Sequence, residues 1–263
     1  MIRLTKLLMA TVIFSCVACV SVYAAKREFY QIKIYHLKDE VQEKRVDDFL
    51  KQAYLPALHK AGIAKVGVFK PIVSQAANAV NERLIYVFIP FRSYDQFSKL
   101  EDKLNKDTQY QDNGKEYLNA LFSEPPYDRI ESILLNAFEK SPMFSLPQLT
   151  SPMKDRVYEL RSYEGHTENI SKNKIEMFNK GDEVGLFKRL GFNAVFYAEV
   201  VSGSRMPNLM YMTTFENKAA RDAHWEAFGK DAYWKQLSAM PIYQKNVSRN
   251  DMRFLYPTDY SDI

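Results

Sequence analysis

Two hydrophobic periods alternate along the chain, and they do so in the same order twice. Phe29-Tyr30-Gln31-Ile32-Lys33-Ile34-Tyr35 alternates with period two, the mark of a strand with two unlike faces. Val46, Phe49, Leu50 and Ala53 then recur at helical spacing from about Glu43. Pro56 lacks a backbone donor, which predicts a break at Leu55 and a new turn from Pro56 to Ala61, closed by Gly62. Strands are predicted at Val66–Lys70, Leu84–Ile89 and Glu131–Phe138, with a loop at Ala76–Asn81. Between the last two lie a helix from Ser93, as N-cap, to Asn105 and a second helical piece, Tyr110–Phe122. Ser141–Asp155 has no period and holds Pro142, Pro147 and Pro152, so it reads as a linker. The order then repeats. Strand Val157–Tyr163 leads to helix Lys172–Leu190, closed by Gly191, and to strands Phe192–Val200 and Leu209–Phe215. Helical pieces Lys218–Phe228 and Asp231–Met240, split at Gly229, precede a last strand, Met252–Tyr256.

Tyr30 and Tyr158, Gly62 and Gly191, Tyr86 and Tyr211, and Asp107 and Asp231 pair at nearly constant separation, so the chain reads as a duplication. Each copy is βαββαβ, a ferredoxin-like unit with both helical layers on one sheet face. The other face needs cover. The expected fold class is therefore α+β, two ferredoxin-like units packed sheet to sheet as an intramolecular eight-stranded barrel with helices outside. The expected boundaries are 1–25 for a leader, 26–140 for the first unit, 141–155 for the linker and 156–263 for the second.

The leader reads as a secretory signal peptide. Arg3 and Lys6 precede the apolar run Leu7–Val20, and Val22-Tyr23-Ala24 suits cleavage after Ala24 or Ala25. That run is shorter than the roughly 20 residues of a spanning helix. A lipoprotein acylated at Cys16 or Cys19 is disfavoured, because neither has a leucine three residues before it. Both cysteines of the chain lie in this segment, which leaves the mature protein without disulfides or thiolates. The expected location is periplasmic or secreted, with no membrane attachment after cleavage. Without Arg3 and Lys6 the chain carries 34 basic and 32 acidic residues, too nearly balanced for a nucleic-acid footprint. Nine glycines and no phosphate-loop, dinucleotide, nucleophile-elbow or zinc spacing argue against nucleotide or metal chemistry. No cofactor is expected, with haem the one alternative.

Candidate chemistry depends on which strand face meets the helices. If Tyr158 and Leu160 do, then Glu159, Arg161 and Tyr163 point into the barrel, with Lys33 and Tyr35 from the first unit. Arg161 or Lys33 would then hold an anionic group, arginine through its planar fork. The competing reading is an Arg161–Glu159 ion pair that fixes strand register. His36 and His166 each follow the first strand of a unit and could face each other at a barrel mouth. His224 falls on an outer helix and His59 at a helix end. Trp225, Tyr233 and Trp234 read as packing residues rather than ligand-stacking groups.

Tyr158-Glu159-Leu160-Arg161-Ser162-Tyr163, Gly191, Arg221 and Asp231-Ala232-Tyr233-Trp234 resemble the NIPSNAP family. The first unit resembles it more weakly, with Lys33 in place of the arginine and Tyr110 in place of the tryptophan. The resemblance implies the dimeric α+β barrel fold closed within one chain, and little about activity. The functional expectation is an exported protein that binds a small hydrophobic or aromatic anion in the barrel interior. The alternatives are a cofactor-independent monooxygenase or isomerase with His166 or Tyr163 as base, a haem-binding enzyme, and an interaction module. Each of these readings is compatible with a homo-oligomer formed through the outer surfaces.

Overall fold

A computed structural model describes residues 26–73 and 82–263. The leader and the loop predicted at Ala76–Asn81 lie outside the described residues. The first unit runs β1 (Phe29–His36), α1 (Glu40–Phe49), a π-helical turn (Leu50–Tyr54), α2 (Leu55–Lys60), β2 (Gly67–Pro71) and β3 (Leu84–Phe91). Short helices α3 (Tyr94–Ser98), α4 (Leu100–Asn105), α5 (Thr108–Asn113) and α6 (Lys115–Leu118) lead to β4 (Arg129–Ala137). The second unit runs β5 (Val157–Glu164), α7 (Glu168–Asn179), α8 (Glu183–Arg189), β6 (Phe196–Ser202) and β7 (Asn208–Phe215). It ends with α9 (Lys218–Lys230), α10 (Ala232–Ala239) and β8 (Arg249–Pro257).

The strands close into one antiparallel barrel in the order β1-β3-β2-β8-β5-β7-β6-β4. Each unit contributes four neighbours, and the units join edge to edge through β2–β8 and β4–β6. Closure leaves no unpaired sheet edge. Helices cover the outer face of each half. The linker does more than connect, because Phe144 packs on the barrel's interior cluster beside Phe88 and its backbone N–H donates to Glu28 at 2.8 Å.

Turn chemistry repeats as the sequence implies. Gly62 and Gly191 both take positive φ, 89° and 73°. Behind them Ile63 N–H bonds Leu58 O and Phe192 N–H bonds Phe187 O, the six-to-one bond that closes a helix at a left-handed residue. Asp107 and Asp231 are both side-chain N-caps, of α5 and α10. Three local expectations are corrected. Pro56 does not break the first helix: the chain stays helical from Glu40 to Lys60, because the π turn just before Pro56 widens the backbone where the missing N–H and the ring would otherwise conflict. The helix expected to run to Leu190 is interrupted, since Asp182 adopts a left-handed conformation between α7 and α8. The pairing of Tyr86 with Tyr211 is off by one residue. Tyr86 faces inward opposite Ile34 and Met210 faces inward opposite Ser162, so Met210 is the true counterpart.

The largest correction concerns the strand faces. Tyr30, Ile32 and Ile34 of β1, with Tyr158 and Leu160 of β5, fill the barrel together with Phe69, Phe88, Phe196 and Met212. Glu159, Arg161 and Tyr163 lie on the outer face under the helices, as do Lys33 and Tyr35 in the first unit. An eight-stranded barrel has room for little beyond its own side chains. Apolar residues take that dry space, and the charged residues go where helices supply partners.

Candidate functional site

In β5, Glu159 is fully buried, a position a carboxylate tolerates only with compensation. It has that compensation on all sides. Arg161 Nε donates to it at 2.7 Å, Arg221 Nε and Nη2 at 2.8 Å each, and Trp225 Nε1 at 2.8 Å. Arg221 and Trp225 are four residues apart on α9, so one helix face delivers both to the same carboxylate. Burial alone would raise the pKa of Glu159, but the Arg221 hydrogen bonds and the charges of Arg161 and Arg221 outweigh it and hold the carboxyl below its ordinary value. The Arg161 guanidinium also lies 3.8 Å from the Trp225 ring centroid and donates to the Tyr163 hydroxyl at 3.1 Å. Tyr163 in turn shares a 2.8 Å bond with the Tyr211 hydroxyl. The register expectation for Arg161 and Glu159 is thus met in part, since the pair exists and extends to a third residue from a helix.

Beside this cluster stands a second buried pair, Lys174 of α7 and Glu183 of α8, at 2.8 Å. Burial raises the pKa of Glu183, and the charge of Lys174 offsets that only in part. The interruption of the helix at Asp182 turns α8 back so that Glu183 meets Lys174. Lys174 also lies over the rings of Phe178 and Trp234, at 4.8 and 5.8 Å.

These groups line one cleft between the outer face of β5 and the helices, with a volume of about 560 Å³. Arg161, Tyr163, Lys174 and Glu183 form its polar side, Trp225, Phe228 and Trp234 its aromatic side, and the segment from Tyr243 to Val247 its lip. Arg161 and Arg221 share the buried carboxylate of Glu159, while Arg221 is also paired with Asp222 at 3.0 Å outside the cleft. Arg161 retains N–H groups beyond those that bond Glu159 and Tyr163, and Lys174 retains one beyond Glu183 and Met177. The cleft can therefore receive an anion without breaking its own pairs.

The equivalent place in the first unit is filled. Gln31, Lys33 and Tyr35 stand where Glu159, Arg161 and Tyr163 do. Lys33 Nζ lies over the rings of Tyr35 and Tyr54, at 5.4 and 4.8 Å. Phe49 and Tyr117 stack at 3.7 Å, with Tyr110 and Tyr127 closing the space around them. Lys33 and Tyr35 are packing residues, and the first unit's groove of about 590 Å³, between α1 and α6, is lined by neither of them.

Of the histidines, His36 sits at the barrel mouth, bonded to Glu131 at 2.7 Å and to Arg129 at 3.1 Å. His166 is exposed on the turn after β5 and lines neither cavity, so the two do not form a site together. Lys174, Glu183 and Asn246 gave no sequence signal as cleft residues. Arg221 and Trp225 did, through their spacing of four on a helix otherwise read as packing.

Residues 158–262 match the family model described as NIPSNAP. The second unit is a NIPSNAP domain. In sequence, no curated protein matches the chain. In structure, it is similar to a monooxygenase-like protein of Lactobacillus acidophilus NCFM, with a TM-score of 0.55 and 13% identity over 88% of this chain and 94% of that one. An anthrone oxidase-like protein superposes with a TM-score of 0.51 and 11% identity, over 89% of this chain and 93% of the other. Both likenesses establish a shared fold, the dimeric α+β barrel. A NIPSNAP family protein of Agrobacterium tumefaciens strain C58 matches 41% of this chain and 98% of its own, at 17% identity and a TM-score of 0.36. The family model covers the unit that holds the cleft, from Tyr158 at its sheet to the segment after β8.

Proposed function

We propose that the NIPSNAP unit binds a small, flat, anionic molecule in the cleft between β5 and helices α7 to α10, rather than inside the barrel. The observation that carries this reading is Arg161 and Lys174 together on the wall of a 560 Å³ cleft whose other wall is aromatic. That volume lies within the range of small-molecule sites. The protein is also proposed to be exported, with residues 1–25 removed, which intact-mass measurement of protein secreted by the native host would test.

The chain's two tryptophans, Trp225 and Trp234, both line the cleft, so their emission reports occupancy directly. Titration of residues 26–263 with 2-naphthoate should quench that emission saturably, and 2-naphthylmethanol, which lacks the charge, should bind roughly tenfold more weakly or worse. Lys174→Met should weaken naphthoate by a similar factor. Equal affinity for the charged and uncharged compounds, or an unchanged affinity in Lys174→Met, would refute an anion site.

A second reading makes the cleft catalytic. The Tyr163 hydroxyl, bonded by Arg161 and Tyr211, is placed to exchange a proton with a bound phenol or enol, and two fold neighbours are monooxygenase-like and anthrone oxidase-like proteins. Oxygen uptake with anthrone, lost in Tyr163→Phe, would support it. Haem would meet no histidine or cysteine on this lining, only Tyr163, Tyr243 and Met177 as side chains of the kinds that ligate its iron.

A further inference from the structure

The barrel is packed with aromatic rings at one end and open at the other. At the open end a cavity of about 120 Å³ enters the interior between the two units. Its floor is apolar and comes from both halves: Ile34, Leu84, Tyr86 and Ile133 from the first, Leu160 and Met210 from the second. Its rim is charged but self-neutralised. His36 and Ser204 bond Glu131, Arg205 pairs with Asp251, and Arg253 pairs with Glu82 at 3.0 Å. Arg129, the remaining rim cation, has only the His36 ring as side-chain partner among the described residues, and the three rim arginines stand against Glu82, Glu131 and Asp251, so the rim as a whole offers an ion no excess charge.

One buried group in this wall is left incomplete. Asn208 is 3% exposed, and its amide nitrogen donates to Ser162 Oγ at 2.8 Å. Among the described residues its carbonyl oxygen is buried without a partner, whereas Arg253 Nε, elsewhere on the wall, lies 3.3 Å from Asp251 Oδ1. An unpaired buried polar atom carries a free-energy penalty, so such an atom on a cavity wall marks where a ligand or water completes the structure.

We propose that the barrel mouth is a second binding site, for a small uncharged hydroxyl compound of phenol size. An apolar cavity of about 150 Å³ accepts a benzene ring, which sets the scale. The ring would rest on Leu160, Met210 and Ile133. Its hydroxyl would donate to Asn208 Oδ1, the acceptor left without a donor. This site is independent of the anion cleft, which lies on the opposite face of β5.

The test is calorimetric titration of residues 26–263 with phenol, toluene and benzoate at millimolar concentrations. Phenol should bind saturably at one site, with toluene about fivefold weaker and benzoate not competing, the fivefold reflecting one hydrogen bond. Met210→Phe should abolish phenol binding by filling the floor. Asn208→Leu, similar in volume, should retain toluene binding and erase the preference for phenol, which keeps the test decisive if Met210→Phe fails to fold. Absence of saturable phenol binding to the unmodified protein would overturn the proposal and leave a water-filled mouth. Binding that quenches tryptophan emission and survives both substitutions would overturn it too, because that phenol would sit in the cleft.

Discussion

Glu159→Gln removes one charge from the most buried polar cluster and leaves its shape intact. Four hydrogen bonds from Arg161, Arg221 and Trp225 converge on the carboxylate at 2.7–2.8 Å. Glutamine presents one acceptor oxygen and sets its own N–H groups against guanidinium donors. Arg161, at 11% side-chain exposure, loses its counter-charge, and Arg221, at 14%, keeps only the half-exposed Asp222. Removing one partner of a buried ion pair costs about 3–5 kcal/mol, and the residual exposure of the arginines places this case near the lower end, about 3 kcal/mol. In a chain of this size each kcal/mol moves the midpoint by about 2–4 °C, so Tm should fall by about 6–12 °C in scanning calorimetry near neutral pH. The pH dependence is specific. Because the folded carboxyl titrates below its ordinary value of 4.5, its stabilisation is full above that value and is lost as pH falls through the lower, folded one. The gap between wild type and Glu159→Gln should therefore close on acidification. A loss of less than about 2 °C near neutral pH, or a gap that persists in acid, would refute the buried network.

The Lys174–Glu183 pair should behave differently. Lys174→Met alone should cost about 3 kcal/mol, measured by urea unfolding, because it strands a buried carboxylate, whereas Lys174→Met combined with Glu183→Leu should fall within about 1 kcal/mol of wild type. The single variant's deficit should shrink at low pH, where Glu183 takes up a proton, since burial already raises its pKa. Gly191→Ala should lower stability by about 1–2 kcal/mol, because a φ of 73° strains any residue with a Cβ; a change within error would mean the loop relaxes freely. Residues 156–263 alone should run as a dimer in light scattering, since β6 and β8 lose their first-unit partners and can pair only with a second copy. A stable monomer would contradict the closure.

Much of the fold was legible because it is written in spacing. Gly62 and Gly191, and Asp107 and Asp231, are punctuation that the backbone itself demands, and they fall where the duplication puts them. The faces of β5 were not legible, for a physical reason. A strand with helices on one side and a barrel on the other is buried on both, so period two separates its faces without saying which is inside. Glu159 and Arg161 suggested a polar interior because charged residues usually face a cavity. They do face one, on the helix side. The usable signal lay elsewhere, in Arg221 and Trp225 four apart on an amphipathic helix, a cation and an indole donor on one helix face. Lys174 and Glu183 stayed hidden because their meeting depends on the left-handed turn at Asp182, where the apolar helical period on either side masks the turn-forming pair Gly181-Asp182.

The central claim is that the second unit keeps its polar chemistry between sheet and helices, with Arg161 and Lys174 directed at an anion. A crystal structure of residues 26–263 grown with 2-naphthoate addresses it most directly. Density for the ring between Trp225 and Trp234, with its carboxylate bonded to Lys174 or Arg161, is the expected result. Naphthoate inside the barrel, or a cleft closed by side chains with Arg161 turned away from Trp225, would contradict it.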